Sequence, residues 1–248
     1  METFVIEGGH RLSGTITPVG NKNAALPLLA ACLLSDQPLT LHNVPDIGDV
    51  RVKLQMLAGL GVEATWLSPS TLRLHAANVT SSQPDAALAK RIRTSILLAG
   101  PLLSRTGKAV LARPGGDSIG HRRLDTHFIA LRSLGASLDV TKDAYELNTK
   151  RLRGTTLFLD EMSVTGTEQA VLAAVLAEGT TTISNAASEP HVQDVCRCLV
   201  AMGAQISGIG TNTVSIQGVD RLHSAEYTLG PDYMEVGSFI GLAAVTRS

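Results

Sequence analysis

The chain is poor in aromatic residues, which make up 3% of it, so stacking platforms for single-stranded nucleic acid are excluded. Charge of one sign is also lacking. The formal net charge is −1, which gives no overall pull toward nucleic acid or an anionic membrane. No apolar run reaches the roughly 18 residues that a membrane span requires. The opening "METFVIEGGHRLSG" has no basic region followed by an apolar one, so no signal peptide is expected. Cysteines number three, Cys32, Cys196 and Cys198, which makes no disulfide framework and suggests a reducing cytoplasm. The pair in "DVCRCLV" is of metal-ligand type, but on a helix residues i and i+2 point about 200° apart. They are read as small core hydrophobes, and neither a metal nor a cofactor is expected.

What is present is core-forming material. Hydrophobic residues make 44% of the 248 and charged residues 17%, enough for one large domain or two small ones. Three segments end alike: "LQMLAGLGVEA", "FIALRSLGASL" and "CLVAMGAQI". Each reads as an amphipathic helix closed by a glycine (Gly61, Gly135, Gly203) and followed by a strand. Glycine suits the left-handed position just past a helix end. Upstream of each lies a more apolar helix: "NKNAALPLLAACLL", "KRIRTSILLAGPLL" and "GTEQAVLAAVLA". Each of these runs into a turn and a strand, and a hairpin-like pair follows each glycine.

The unit is therefore strand–helix–strand–helix–strand–strand, repeated three times. Helices too apolar for a surface belong inside, with sheets packed around them. At the C-terminus "MEVGSFIGLAAVTRS" resembles the first helix of a fourth unit, stopping where its strand should begin. An apolar helix exposed in this way is expected to need a partner surface.

Four segments carry a resemblance: "GNKNAALPLLAACLL", "PGGDSIGHRRLDTH", "SVTGTEQAVLAAVLAEGTT" and "NAASEPHVQDV". In that order they resemble the signature segments of the UDP-N-acetylglucosamine 1-carboxyvinyltransferases, the MurA branch of the enolpyruvyl transferases. The resemblance runs the length of the chain. It implies an α/β fold (α+β by some schemes), an inside-out α/β barrel with helices inside and sheets outside. By analogy residues 22–229 form a complete three-unit domain, and 1–21 and 230–248 are fragments of a second. The implied reaction is transfer of enolpyruvyl from phosphoenolpyruvate to the 3′-hydroxyl of UDP-N-acetylglucosamine, the first committed step of peptidoglycan precursor synthesis.

The resemblance also names residues. Lys22, Arg93 and Arg122 match positions that meet phosphoenolpyruvate or the diphosphate, and Asn23 matches one that positions the sugar. Arg93, Arg122 and Asp125 fall on the sugar-nucleotide side as well. Ser163, Val164 and Thr165 match a segment that cradles the uridine through main-chain groups. Read alone, "SVTGT" is an ordinary helix N-cap, which is also where a helix presents free donors. Arg123 stands where the family usually has proline. His127, one turn past Arg122, is assigned no role.

Asp117, after Pro-Gly-Gly, is by itself a turn former. In most of the family the matching residue is cysteine, assigned to protonating phosphoenolpyruvate or releasing product, and aspartate there is a known natural variant. A free aspartate, with a pKa of about 3.9, holds no proton at neutral pH, and neighbouring cations lower it further. Bound phosphate and carboxylate raise it, so the acid form belongs to the ternary complex. Fosfomycin alkylates the family's cysteine, and a carboxylate in its place implies resistance. The family takes a base and further arginines from its second domain, so this chain alone is expected to be inactive or nearly so. Two other readings stay open: a transferase acting on shikimate 3-phosphate, and a non-catalytic UDP-sugar-binding half-protein. The expected partners are small-molecule substrates and, for the missing half, another chain.

Overall fold

The computed structural model describes residues 3–116, 120 and 123–248. Asp117 and Arg122, two of the expected site residues, lie outside the described residues. The first repeat comprises α1 (Lys22–Ala31), β1 (Leu39–His42), α2 (Gly48–Gly59), β2 (Glu63–Ser68) and β3 (Thr71–His75). In the second are α3 (Ala86–Ala89), a 3₁₀ segment Arg93–Leu98 running into α4 (Ala99–Thr106), and β4 (Lys108–Ala112). It continues through α5 (Asp125–Ser133), β5 (Ser137–Val140) and β6 (Ala144–Asn148). The third is β7 (Thr156–Phe158), α6 (Val164–Ala174), β8 (Thr180–Ser184), α7 (Pro190–Ala201), β9 (Gln205–Ser207) and β10 (Thr213–Gln217). Two elements follow, β11 (Ala225–Thr228) and α8 (Tyr233–Thr246).

Three helical segments form the centre. Every residue of α1 from Ala24 to Ala31 is buried, as is every residue from Ser95 to Leu103 and from Gly166 to Ala174. Apart from Thr167, Glu168 and Gln169 on α6, their side chains are small or aliphatic all round, so each can face neighbours on every side. Gly100 shows how close the packing is. A Cβ there would lie 3.2 Å from the Cβ and backbone nitrogen of Ala173 on α6. Gln169 on α6 meets the same place. Its amide, oriented to suit its neighbours, donates to Ile96 O at 3.0 Å and accepts from Gly100 N at 2.6 Å. That satisfies backbone groups at the junction of the 3₁₀ segment and α4, where Pro101 brings no N–H of its own.

The outer helices α2, α5 and α7 bury one face, and each is followed by a glycine with positive φ: Gly61 +94°, Gly135 +96° and Gly203 +103°. These are the positions at which the sequence pattern ends its amphipathic helices. Three separate sheets cover the bundle, in the orders β11-β1-β3-β2, β4-β6-β5 and β7-β8-β10-β9. Among the described residues they are not joined into a continuous closed barrel.

The six-element repeat needs one correction. Among the described residues only the third repeat opens with its own strand, β7, parallel to β8 through Thr156↔Thr182. The first sheet takes its parallel strand from the far end of the chain: β11 pairs with β1 through Leu39↔Ala225. The second sheet has three strands among the described residues. Where a fourth is expected, a single bond from Val110 N to Ser82 O, 3.0 Å, marks its place. The stretch "NVTSSQPD" there combines turn-formers and proline with no apolar alternation, which explains the missing strand. Beyond β11, helix α8 has no buried residue, and Ile240 and Val245 are 65% and 81% exposed. Among the described residues no helix is long and apolar enough to cross a membrane.

Candidate functional site

Helix N-termini converge on one cavity of about 520 Å³. Asn23 comes from the start of α1, Arg93 and Thr94 from the start of the 3₁₀ segment, and Ser163, Val164, Thr165 and Glu168 from the start of α6. His191 comes from the start of α7, with Glu189 just before it, and Tyr233 from the start of α8. Arg123 and Glu161 complete the wall. Backbone N–H groups at the helix starts and the positive ends of several helix dipoles favour an anion there. The caps fix the geometry. Asn21 accepts from Asn23 N at 2.7 Å, and Ser163, the cap of α6, accepts from Gly166 N at 3.1 Å.

Arg93 is held by its backbone as well as its side chain. Its Nη2 donates to Arg123 O at 2.6 Å. The Pro-Gly-Gly turn packs on the same segment: a Cβ on Gly115 would strike Lys90 O, and one on Gly116 would lie 3.0 Å from Arg93 N. Gly116 has φ +94°, a second reason for glycine at that point. Arg123, the residue in the usual proline position, donates from Nε to Asp125 Oδ2 at 2.7 Å and lies 3.8 Å from Asp160. Its charge is thus shared between two carboxylates.

Among the expected residues, the cavity brings together Asn23, Arg93, Ser163, Val164 and Thr165. Asp125 lines an adjoining cavity that shares Arg93 and Arg123. Lys22 does not line the central cavity; its Nζ pairs instead with Asp49 Oδ2 at 3.3 Å, with both side chains partly exposed. Sequence reasoning missed Asp49, Thr94, Glu161, Glu168, Glu189, His191 and Tyr233. A charged Glu168 one turn inside an otherwise apolar helix was the available signal. Three atoms facing this region are buried with no hydrogen-bond partner among the described residues: Thr94 Oγ1, Glu168 Oε1 and Glu189 Oε2. Buried polar atoms in this state point to a polar ligand or water.

His127 is a buried support. It is 1% exposed, and its Nε2 lies 3.0 Å from Thr165 Oγ1, tying α5 to the start of α6. Burial first and the nearby Arg93 charge second push its pKa down to about 3. The unfolded histidine therefore takes up a proton in the range from about 6.5 down to 3 where the folded one does not, and stability should fall as pH drops through that window. The expected slope is up to about 1.4 kcal/mol per pH unit, measured as urea midpoints between pH 4 and 7. His127→Gln should flatten it.

Known proteins place this arrangement. Residues 6–248 match the family described as EPSP synthase (3-phosphoshikimate 1-carboxyvinyltransferase). The chain belongs to that family. It is 55% identical over 247 residues to a UDP-N-acetylglucosamine 1-carboxyvinyltransferase of Treponema denticola, covering 100% of this chain and 58% of the relative. It is 54% identical to the Bradyrhizobium diazoefficiens protein of the same name, covering 99% and 57%. The chain thus spans little more than half the length of these curated relatives. Among solved structures, the enolpyruvyl transferase NikO from Streptomyces tendae superposes with a TM-score of 0.82 at 27% identity, over 95% of this chain and 56% of that one. An EPSP synthase from Acinetobacter baumannii gives 0.74 at 20% identity over 94% and 53%, a likeness of fold. The bundle of apolar helices under three sheets is thus the enolpyruvyl transferase architecture.

Proposed function

We propose that the chain supplies the sugar-nucleotide wall of a UDP-N-acetylglucosamine 1-carboxyvinyltransferase working in peptidoglycan precursor synthesis in the cytoplasm. The observation that carries this reading is the convergence of helix N-termini and Arg93 on one cavity, in a chain 55% identical to an enzyme of that name. The diphosphate is an anion suited to those N–H groups and to Arg93 and Arg122, while the starts of α1 and α6 offer Asn23, Ser163, Val164 and Thr165 to the sugar and uridine. In the reaction C3 of phosphoenolpyruvate gains a proton as the 3′-oxygen of the sugar bonds to C2 and gives up its own proton to a base from the remainder of the enzyme. The tetrahedral ketal then loses a C3 proton and phosphate, leaving the enol ether. Asp117 supplies the C3 proton, and Lys22, Arg93 and Arg122 neutralise the phosphate and carboxylate.

This domain reading takes residues 22–229 as one complete unit and residues 1–21 and 230–248 as parts of a second. The absence of any buried side chain on α8 supports it. The test is phosphate release from phosphoenolpyruvate with and without UDP-N-acetylglucosamine. The chain is assayed alone and as a fusion to the remaining length of a relative. Release by the fusion that depends on the sugar nucleotide is expected; release that ignores it, or that needs shikimate 3-phosphate, would overturn the reading. With fosfomycin, the fusion should form no covalent adduct by mass spectrometry, whereas Asp117→Cys should be alkylated. An adduct on Asp117 would contradict the proposed chemistry.

A further inference from the structure

Two ionisable side chains sit in the apolar core with no part in the reaction as described. Lys53, on α2, is 0% exposed, and its Nζ donates to Thr94 O at 2.8 Å. Thr94 follows Arg93 at the first turn of the 3₁₀ segment. Glu168, on α6, is 1% exposed, faces the central cavity, and leaves Oε1 without a partner among the described residues. Lys53 and Glu168 feel each other's charge across the start of the 3₁₀ segment. They come from different elements, and fully buried lysine and glutamate are rare unless paired.

Among the described residues the amine has one carboxylate acting on it. Lys53 is faced by Cys32 and Glu168. Glu168 is faced by Lys53 and Glu189, and it acts in turn on Cys196. Burial holds both thiols near 12, so they carry no charge at neutral pH. An ammonium here with no carboxylate, or a carboxylate with no ammonium, would be an uncompensated buried charge. One proton between the two groups avoids both, as ammonium with carboxylate or amine with carboxylic acid.

We propose that Lys53 and Glu168 form a single one-proton unit in the core, and that Lys53 acts through it as the positioning residue for Arg93, holding the Arg93–Thr94 turn by the Thr94 carbonyl. The inference stands whichever anion the cavity takes, because it concerns the turn and not the ligand. Burial lowers the amine's pKa to about 7 and raises the carboxyl's. The linkage signs are therefore opposite. An isolated Lys53, without the Glu168 charge that raises it, sheds its proton at lower pH in the folded chain than in the unfolded one, so stability rises with pH across the neutral range. An isolated Glu168 keeps its proton to higher pH when folded, so stability falls as pH rises above the ordinary carboxylate range. Joined as a unit that holds one proton, the folded pair matches the unfolded pair across the neutral range, and the two slopes cancel.

The experiment is urea unfolding of the wild-type chain, Lys53→Met, Glu168→Gln and the double variant at pH 6 to 9. Relative to the wild type, whose own slope carries the His127 and buried-thiol contributions, the midpoint should run parallel for the double variant, should rise with pH for Glu168→Gln, and should fall for Lys53→Met. Parallel slopes in all four would overturn the unit. Should the single variants fail to fold, a folded double variant supports it and an unfolded one overturns it. Positioning is read by hydrogen exchange in residues 93–98. Protection should fall about tenfold whenever Lys53 is replaced and stay unchanged in Glu168→Gln, where the amine remains. Equal protection in all folded variants would remove the positioning role.

Discussion

Arg93→Ala is expected to weaken UDP-N-acetylglucosamine binding about 10- to 150-fold. The range follows from the loss of one charge-assisted contact, about 1.5–3 kcal/mol, at about 1.4 kcal/mol per tenfold. Among the described residues Arg93 and Arg123 line both the central cavity and the adjoining one, and Arg123 is engaged by Asp125 and Asp160, so an anion spanning the two meets Arg93 whichever way the ligand lies. The cost to folding should be smaller, about 1 kcal/mol for the bond to Arg123 O. Arg93→Lys should restore the charge but not the planar fork, recovering only part of the affinity. Calorimetric titration together with a thermal melt separates the two effects. A variant that binds as tightly as the wild type would remove Arg93 from the site, and loss of binding only in step with loss of fold would make it structural.

Gly100→Val should lower the melting temperature by about 10 °C or prevent folding. The new Cβ meets Ala173 at two atoms, one of them backbone, and comes within 2.7 Å of the Gln169 side-chain amide. Backbone packed between two helices cannot yield cheaply. Overpacking of this kind costs about 1–3 kcal/mol, and losing the Gln169 bonds to Ile96 O and Gly100 N adds about 1–3. At about 2–4 °C per kcal/mol for a chain of this size, the sum accounts for the expected shift. Gly59→Ala is the control. Gly59 lies exposed within α2, with no atom close to an added Cβ, so that change should be neutral or raise stability by up to about 1 kcal/mol. If both substitutions had equal effects, close packing at Gly100 would not be what holds the inner helices.

Much of this was legible in the sequence because the relevant signals are local. Gly61, Gly135 and Gly203 occupy the left-handed positions that their helix endings require, and the three apolar helices are buried because no face of them suits water. Ser163 caps α6 as its hydroxyl and the following apolar run suggest. Pairing between distant segments was less legible. Nothing in "AEYT" says that β11 joins the first sheet, since parallel pairing is set by the third dimension. The second sheet's missing strand could have been read from its proline and polar run. Lys53 was passed over because it looks like an ordinary helix surface charge until its amine is seen at the Thr94 carbonyl, whereas Glu168 had left a signal in its apolar run. Lys22 was expected among the cations of the cavity, but its partner Asp49 lies on another helix and could not be read from spacing. For Asp117 the argument remains one of sequence and chemistry.

The measurement that tests the central claim most directly is calorimetric titration of the 248-residue chain at pH 7 with UDP-N-acetylglucosamine and, separately, with shikimate 3-phosphate. Saturable binding of the sugar nucleotide, with none of shikimate 3-phosphate, is the predicted result. A folded chain that ignores UDP-N-acetylglucosamine, or prefers shikimate 3-phosphate, would contradict the assignment of the cavity.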